Sequence, residues 1–157
     1  MTNPTTITAP DGLPYIDIER DFDAPADAVY RAHSDSELVK QWLGPRGYVM
    51  DIETYDVRTG GRYRYIHRTP DGVEFAFRGS FHSVTENAQI VQTFEFEGYP
   101  GVVSIETLDL EDLGDGRSRA RVHAVYPTIE ARDGMIASGM EGGLTEGYEQ
   151  LDELLAL

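Results

Sequence analysis

Apolar and polar residues alternate through Tyr15–Asp23, where Ile16, Ile18 and Phe22 share a face, and the same period returns at Tyr48 and persists to Tyr126. A period of two sends successive side chains to opposite faces of a sheet, so both stretches read as strands with one face covered. Turn chemistry divides the second stretch at Arg58-Thr59-Gly60-Gly61, Thr69-Pro70-Asp71-Gly72, Glu86-Asn87, the loop from Gly98 to Gly101, and Gly114-Asp115-Gly116. These are the residue types that accept the backbone angles of tight turns. One strand before and six after, joined mostly by short hairpins, make a seven-stranded antiparallel sheet.

Helical spacing occupies the two remaining places. Pro25 suits the start of a helix that turns Ala28, Val29 and Ala32 inward. Ser34 and Glu37 have the S-x-x-E spacing of a capping box, which restarts a helix through Leu38, Val39 and Trp42 until Gly44-Pro45 stops it. After the last strand Thr128 reads as an N-cap, and Ile136, Met140, Leu144, Tyr148, Leu151 and Leu155 recur at three and four, which predicts one long C-terminal helix. Residues 1–14, with Pro4, Pro10, Gly12 and Pro14, read as a mobile tail, and 15–157 as a single α+β domain.

Two features break the local rules. The C-terminal helix carries Gly134, Gly139, Gly142, Gly143 and Gly147, each of which weakens a helix by roughly 1 kcal/mol relative to alanine. Gly139, Gly143 and Gly147 fall on one stripe, where they permit either close approach to the sheet or a ligand volume beneath the helix. The second feature is an aromatic row: Tyr48, Tyr63, Tyr65, Phe75, Phe77, Phe81, Phe94 and Phe96 share the inward face by parity. Such a row serves a packed core, or the wall of a small-molecule pocket. His67 follows Tyr63 and Tyr65 on that face, and Glu106 shares parity with Leu108 and Leu110. An inward acid is costly unless it is paired, lies at the open end or has a raised pKa, and a register shift by one residue would turn it outward.

Composition removes several chemistries. The 157 residues contain no cysteine, which excludes disulfides, thiolate metal sites and a cysteine nucleophile. The four histidines show no metal-ligand spacing, and no phosphate loop or nucleophile elbow occurs, so no metal and no cofactor is implied. With 28 acidic against 13 basic residues and a net charge of −15, the chain repels nucleic acid and anionic membrane surfaces. Arg58, Arg62, Arg64, Arg68 and Arg78 cluster locally, a set that cross-strand pairing with Asp51, Glu53 and Glu74 explains. The start of the chain has no signal-peptide pattern and no apolar run approaches a membrane span, so the expected location is cytoplasmic.

Several motifs stand in one order: Phe22-Asp23-Ala24-Pro25 with Val29-Tyr30-Arg31-Ala32, Trp42-Leu43-Gly44-Pro45, Asp56-Val57-Arg58-Thr59-Gly60-Gly61-Arg62, Phe77-Arg78-Gly79, Glu111-Asp112-Leu113-Gly114, and the ending Gly142-Gly143-Leu144-Thr145-Glu146-Gly147-Tyr148-Glu149-Gln150-Leu151. With the element order strand, two short helices, six strands and a long helix, this resembles the helix-grip fold of the START-like (SRPBCC) superfamily. Within that superfamily it is similar to the bacterial single-domain members of the activator-of-Hsp90-ATPase-like family. The resemblance implies a curved sheet wrapped around the C-terminal helix, with a cavity between them that holds a small hydrophobic or amphipathic molecule. Glu106 stands where the family usually has an apolar residue or threonine.

The expected ligand wall comprises Trp42, Met50, Tyr63, Tyr65, His67, Phe75, Phe77, Phe94, Phe96, Glu106, Leu108, Met140, Gly143, Leu144 and Gly147. Two other classes of function are open at this point. A cofactor-free enzyme of the cyclase, dehydratase or hydrolase kind would use His67 and Glu106 as acid and base from either side of a substrate. An interaction module would dock a chaperone, or a second copy as a homodimer, through Trp42 and the loop Gly44-Pro45-Arg46-Gly47.

Overall fold

The structure, a computed structural model, describes residues 3–157. Its elements in chain order are β1 (Thr5–Thr8), β2 (Tyr15–Phe22), α1 (Ala26–Ser34), α2 (Ser36–Trp42), β3 (Val49–Tyr55), β4 (Arg62–Arg68), β5 (Glu74–Thr85), β6 (Gln89–Phe96), β7 (Val103–Gly114), β8 (Arg117–Val125), α3 (Ile129–Ala137) and α4 (Met140–Leu155). One antiparallel sheet runs in the order β1-β2-β8-β7-β6-β5-β4-β3. The helix-grip architecture read from the sequence is present, with eight strands where the pattern gives seven. The extra strand comes from the expected tail: Thr5–Thr8 pairs with Asp17–Arg20 and covers the edge of β2.

Three register shifts, at Ile52/Thr54, Phe81/Ser83 and Asp112/Gly114, bend the long strands and curl the sheet. The concave face carries the core. Ile16, Phe22, Val29, Val39, Phe81 and Leu151 are fully enclosed there. The convex face is a lattice of ion pairs: Arg119 with Asp21, Arg121 with Glu19 and Glu111, Arg68 with Asp51 and Glu74, Arg64 with Glu97 and Glu53, and Arg78 with Glu95. The arginine cluster seen in the sequence is therefore largely neutralised across strands.

The C-terminal helix is two helices. Thr128 caps α3, accepting from the Ala131 amide at 3.0 Å, but the chain breaks at Gly139, whose φ of 84° lies in the left-handed region. Ile136, expected inward, is exposed as a result. The guanidinium of Arg132 ties α3 to the start of the sheet, donating to the carbonyls of Pro10 and Tyr15. The capping of α2 also differs from the sequence pattern, since Asp35 rather than Ser34 is the N-cap and accepts from the Glu37 amide at 2.9 Å. No helix among the described residues is long and apolar enough to cross a membrane.

Candidate functional site

Helix α4 is fixed over the concave face by a buried ion pair. Arg20, only 1% exposed on β2, donates to both carboxylate oxygens of Asp152 at 2.8 and 2.5 Å, and its guanidinium sits 4.9 Å from the Phe22 ring centre. Tyr148 and Leu151 fill the space between helix and sheet. At the other side of α4, Gln150 donates to the carbonyls of Trp42 and Gly44, and Arg46 bonds Glu153 at 2.6 Å. The loop after α2 is thereby strapped to the helix.

Gly143 and Gly147 belong to this strap. A β-carbon at Gly147 would stand 3.3 Å from the Trp42 carbonyl and 3.4 Å from the Gly44 nitrogen, and one at Gly143 would stand 3.4 Å from Pro45. Neither glycine opens toward the sheet, so both sequence-derived accounts of the stripe give way to close packing of α4 on the loop after α2. Trp42 is also inside: it is buried, stacks on Tyr148 at 6.2 Å, and its indole N–H donates to the Ala32 carbonyl at 2.8 Å. Its place in the core rules out the exposed docking contact expected from the sequence.

Met50, Tyr63, Tyr65 and Leu108 are core residues too. Tyr63 stacks on Tyr65 at 5.8 Å, and its hydroxyl donates to the Thr93 carbonyl at 2.6 Å and accepts from Gln92 Nε2 at 3.2 Å. His67 is buried against Tyr65 and Phe77, close behind Gly44, where a β-carbon on the glycine would come within 2.7 Å of its Cε1. Its Nε2 has no hydrogen-bond partner among the described residues, and burial pushes its pKa down to about 4. It is a neutral imidazole at neutral pH.

The rest of the inner face is less completely filled. Phe77 stacks on Phe94 at 5.3 Å and meets Phe96 at 5.3 Å, while Phe75 meets Phe96 at 6.0 Å. Phe75, Phe94 and Phe96 stand outside the continuous core and keep part of their surface uncovered; Met140 and Leu144, half-buried on α4, pack against its edge.

Glu106 faces inward, with cross-strand partners Gln92 on β6 and Ala124 on β8. The register shift that would have turned it outward does not occur. No hydrogen bond or ion pair to it is present among the described residues, part of its surface is uncovered, and burial pushes its pKa up to about 7. Its charge also acts on four phenols: burial is the main cause that raises the pKa values of Tyr63, Tyr65, Tyr126 and Tyr148, and the Glu106 carboxylate adds a smaller upward push to each.

His67 and Glu106 are not brought together. Strands β5 and β6 separate β4 from β7, which spaces the two backbones by roughly 14 Å along the sheet. Their rows differ as well: His67 pairs with Phe75, whereas the row of Glu106 runs through Gln92 to Phe81. Gln92, Tyr126 and Tyr148 were missed as site residues. Gln92 was detectable, because it shares parity with Ile90 and Phe94.

Two open hollows lie elsewhere. One of about 220 Å³ is lined by residues of α2 and β3, including Glu37, Lys40 and Tyr55. Another, of about 490 Å³, lies over the outer side of β4, β5 and β6 and includes Arg62, Arg64, Arg78 and Glu95. Neither lies between the sheet and α4, where the resemblance places a cavity. No group of three or more metal-ligating side chains occurs among the described residues.

A curled antiparallel sheet gripping a C-terminal helix defines a START-like (SRPBCC) domain. The family described as "Activator of Hsp90 ATPase homolog 1-like protein" matches residues 23–156, and the chain belongs to it. A protein from Rhodobacter sphaeroides has the same fold at 25% identity and a TM-score of 0.88, over 98% of this chain and 99% of that one. A protein from Arthrobacter aurescens is similar at 25% identity and a TM-score of 0.87, over 96% and 91%. DynU16, a protein of the dynemicin biosynthetic locus, shares the fold at 20% identity and a TM-score of 0.70, with 94% of this chain covering 48% of it. No curated protein matches the chain.

Proposed function

We propose that this protein binds a small amphipathic molecule against the concave sheet face, beneath α4, and does so without metal or cofactor. The observation that carries this reading is the incompletely covered inner face. Phe75, Phe94 and Phe96 stand outside the core, and on the same face Glu106 has no partner among the described residues. Uncovered aromatic surface gains by burial against an apolar ligand body, roughly 25 cal/mol per Å². An unpartnered inward carboxylate is a cost that a polar ligand group can offset. Aromatic walls with few polar groups are the usual make-up of small-molecule sites. We place this activity in the cytoplasm.

Neither His67 nor Glu106 has a hydrogen-bond partner among the described residues to orient it, which favours binding over the acid–base enzyme. The neutral dye Nile red, titrated by fluorescence, tests the reading. Saturable one-to-one binding, displaced by decanol and weakened about tenfold or more in Phe94→Ala/Phe96→Ala, is the expected result. Failure to saturate by about 100 µM dye would overturn it.

A further inference from the structure

The inner face is electrically unbalanced. Among the described residues, the inward register of the strands carries Arg20, Glu106 and, at the exposed end of β7, Asp112 as its arginine and carboxylate groups, and Arg20 is already bonded to Asp152 of α4. Glu106 has no such partner among the described residues. Its cross-strand partners are Gln92 on β6 and Ala124 on β8, and its charge reaches the phenols of Tyr63 and Tyr65 from β4, Tyr126 after β8 and Tyr148 from α4; none of these is a cation. Only desolvation, with no compensating charge, accounts for the state of the carboxylate.

Resting on the binding reading above, we infer that Glu106 makes this a site for an apolar molecule with a cationic nitrogen, an alkyl or aryl amine, whose ammonium group meets the Glu106 carboxylate among the tyrosine rings. Charge and rings act together. The carboxylate supplies the counter-ion that a buried ammonium requires. A tyrosine ring whose face meets the cation adds to the attraction when water is excluded. A ligand with a carboxylate would place two anions in one apolar space and be rejected. An alcohol would leave Glu106 without a counter-charge. The net charge of −15 further concentrates cations near the protein.

Decylamine and decanol, matched in chain length, provide the test, each displacing Nile red from the wild type and from Glu106→Gln. At about pH 8 the wild type is expected to favour the amine by about tenfold or more, and Glu106→Gln to lose that preference. Because the amine stays charged and Glu106 does not, the wild-type preference should fall by about tenfold on going to pH 5.5. Equal displacement by both compounds in the wild type, or an undiminished preference in Glu106→Gln, would overturn the inference and leave the binding reading intact. If Nile red itself does not bind, both readings fall. The wild-type comparison decides the matter even if the variant does not fold.

Discussion

Tyr63 lies across Gly79: its phenol occupies the direction in which a side chain at Gly79 would project, and its hydroxyl donates to the Thr93 carbonyl at 2.6 Å. A β-carbon at Gly79 would fall 2.6 Å from the phenol oxygen and closer still to the Thr93 carbonyl oxygen. This contact explains the glycine in the Phe77-Arg78-Gly79 motif in physical terms. Gly79→Ala should lower stability in urea denaturation by about 1–3 kcal/mol through overpacking. Adding Tyr63→Phe should not restore it, because the obstruction by backbone oxygen remains. Recovery in the double variant would show that the phenol alone sets the constraint.

The glycines of α4 should respond differently from one another. Nothing lies within 4 Å of a β-carbon at Gly142, so Gly142→Ala should stabilise by up to about 1 kcal/mol. At Gly143 the methyl meets only Pro45 at 3.4 Å, and a small gain is expected with no change in ligand binding. At Gly147 it meets backbone atoms of Trp42 and Gly44, and a loss of about 1 kcal/mol is expected. Melting temperatures of the three single variants check the order. A stabilised Gly147→Ala would contradict the close packing of α4 on the loop after α2.

Aromatic residues on the inner face should divide into core and wall. Phe81 is 2% exposed and part of the core, so Phe81→Ala should cost about 3–5 kcal/mol. Phe94 lies outside the core with part of its ring uncovered, and Phe94→Ala should cost about half as much or less. Equal costs in urea denaturation would mean that Phe94 is packing and not ligand wall.

Glu106 and His67 should tilt the pH dependence of stability in opposite directions. Glu106, with its folded pKa raised to about 7, holds more protons folded than unfolded between about pH 4.5 and 7, so it lowers stability as pH rises through that window. Glu106→Gln should therefore gain on the wild type as pH increases, by about 2 kcal/mol at pH 8, a figure reduced for its uncovered surface. His67, pushed down to about 4, holds fewer protons folded than unfolded between about pH 4 and 6.5, so its contribution is lost as pH falls. His67→Gln should gain on the wild type toward pH 4. Thermal melts of the three proteins from about pH 4 to 8 separate the two slopes. Parallel curves would contradict the burial of either side chain.

The sheet was legible because alternation is a local signal: Ile16, Ile18 and Phe22, then Tyr63, Tyr65 and His67, share faces in the structure as their parity requires. Inward Glu106 followed from the same parity, with only its register in doubt. Thr5–Thr8 was not legible, because its pairing with β2 is a long-range backbone interaction and its side chains are mostly polar. The break at Gly139 was hidden because glycine in a helix and glycine in a left-handed turn look alike in sequence. Trp42 read as ligand wall or as a docking contact because its partner, the Ala32 carbonyl, lies ten residues away on the preceding helix.

Chemical-shift mapping of inner-face side chains tests the central claim most directly. With ¹³C-labelled methionine methyls and phenylalanine rings, decylamine at about pH 8 should shift Met140, Phe94 and Phe96 progressively to saturation. His82, exposed on the outer side of β5, should stay unchanged when its ring is labelled in the same way. Shifts confined to the outer hollow around Arg62 and Arg78, or none at all, would contradict a ligand site on the concave face.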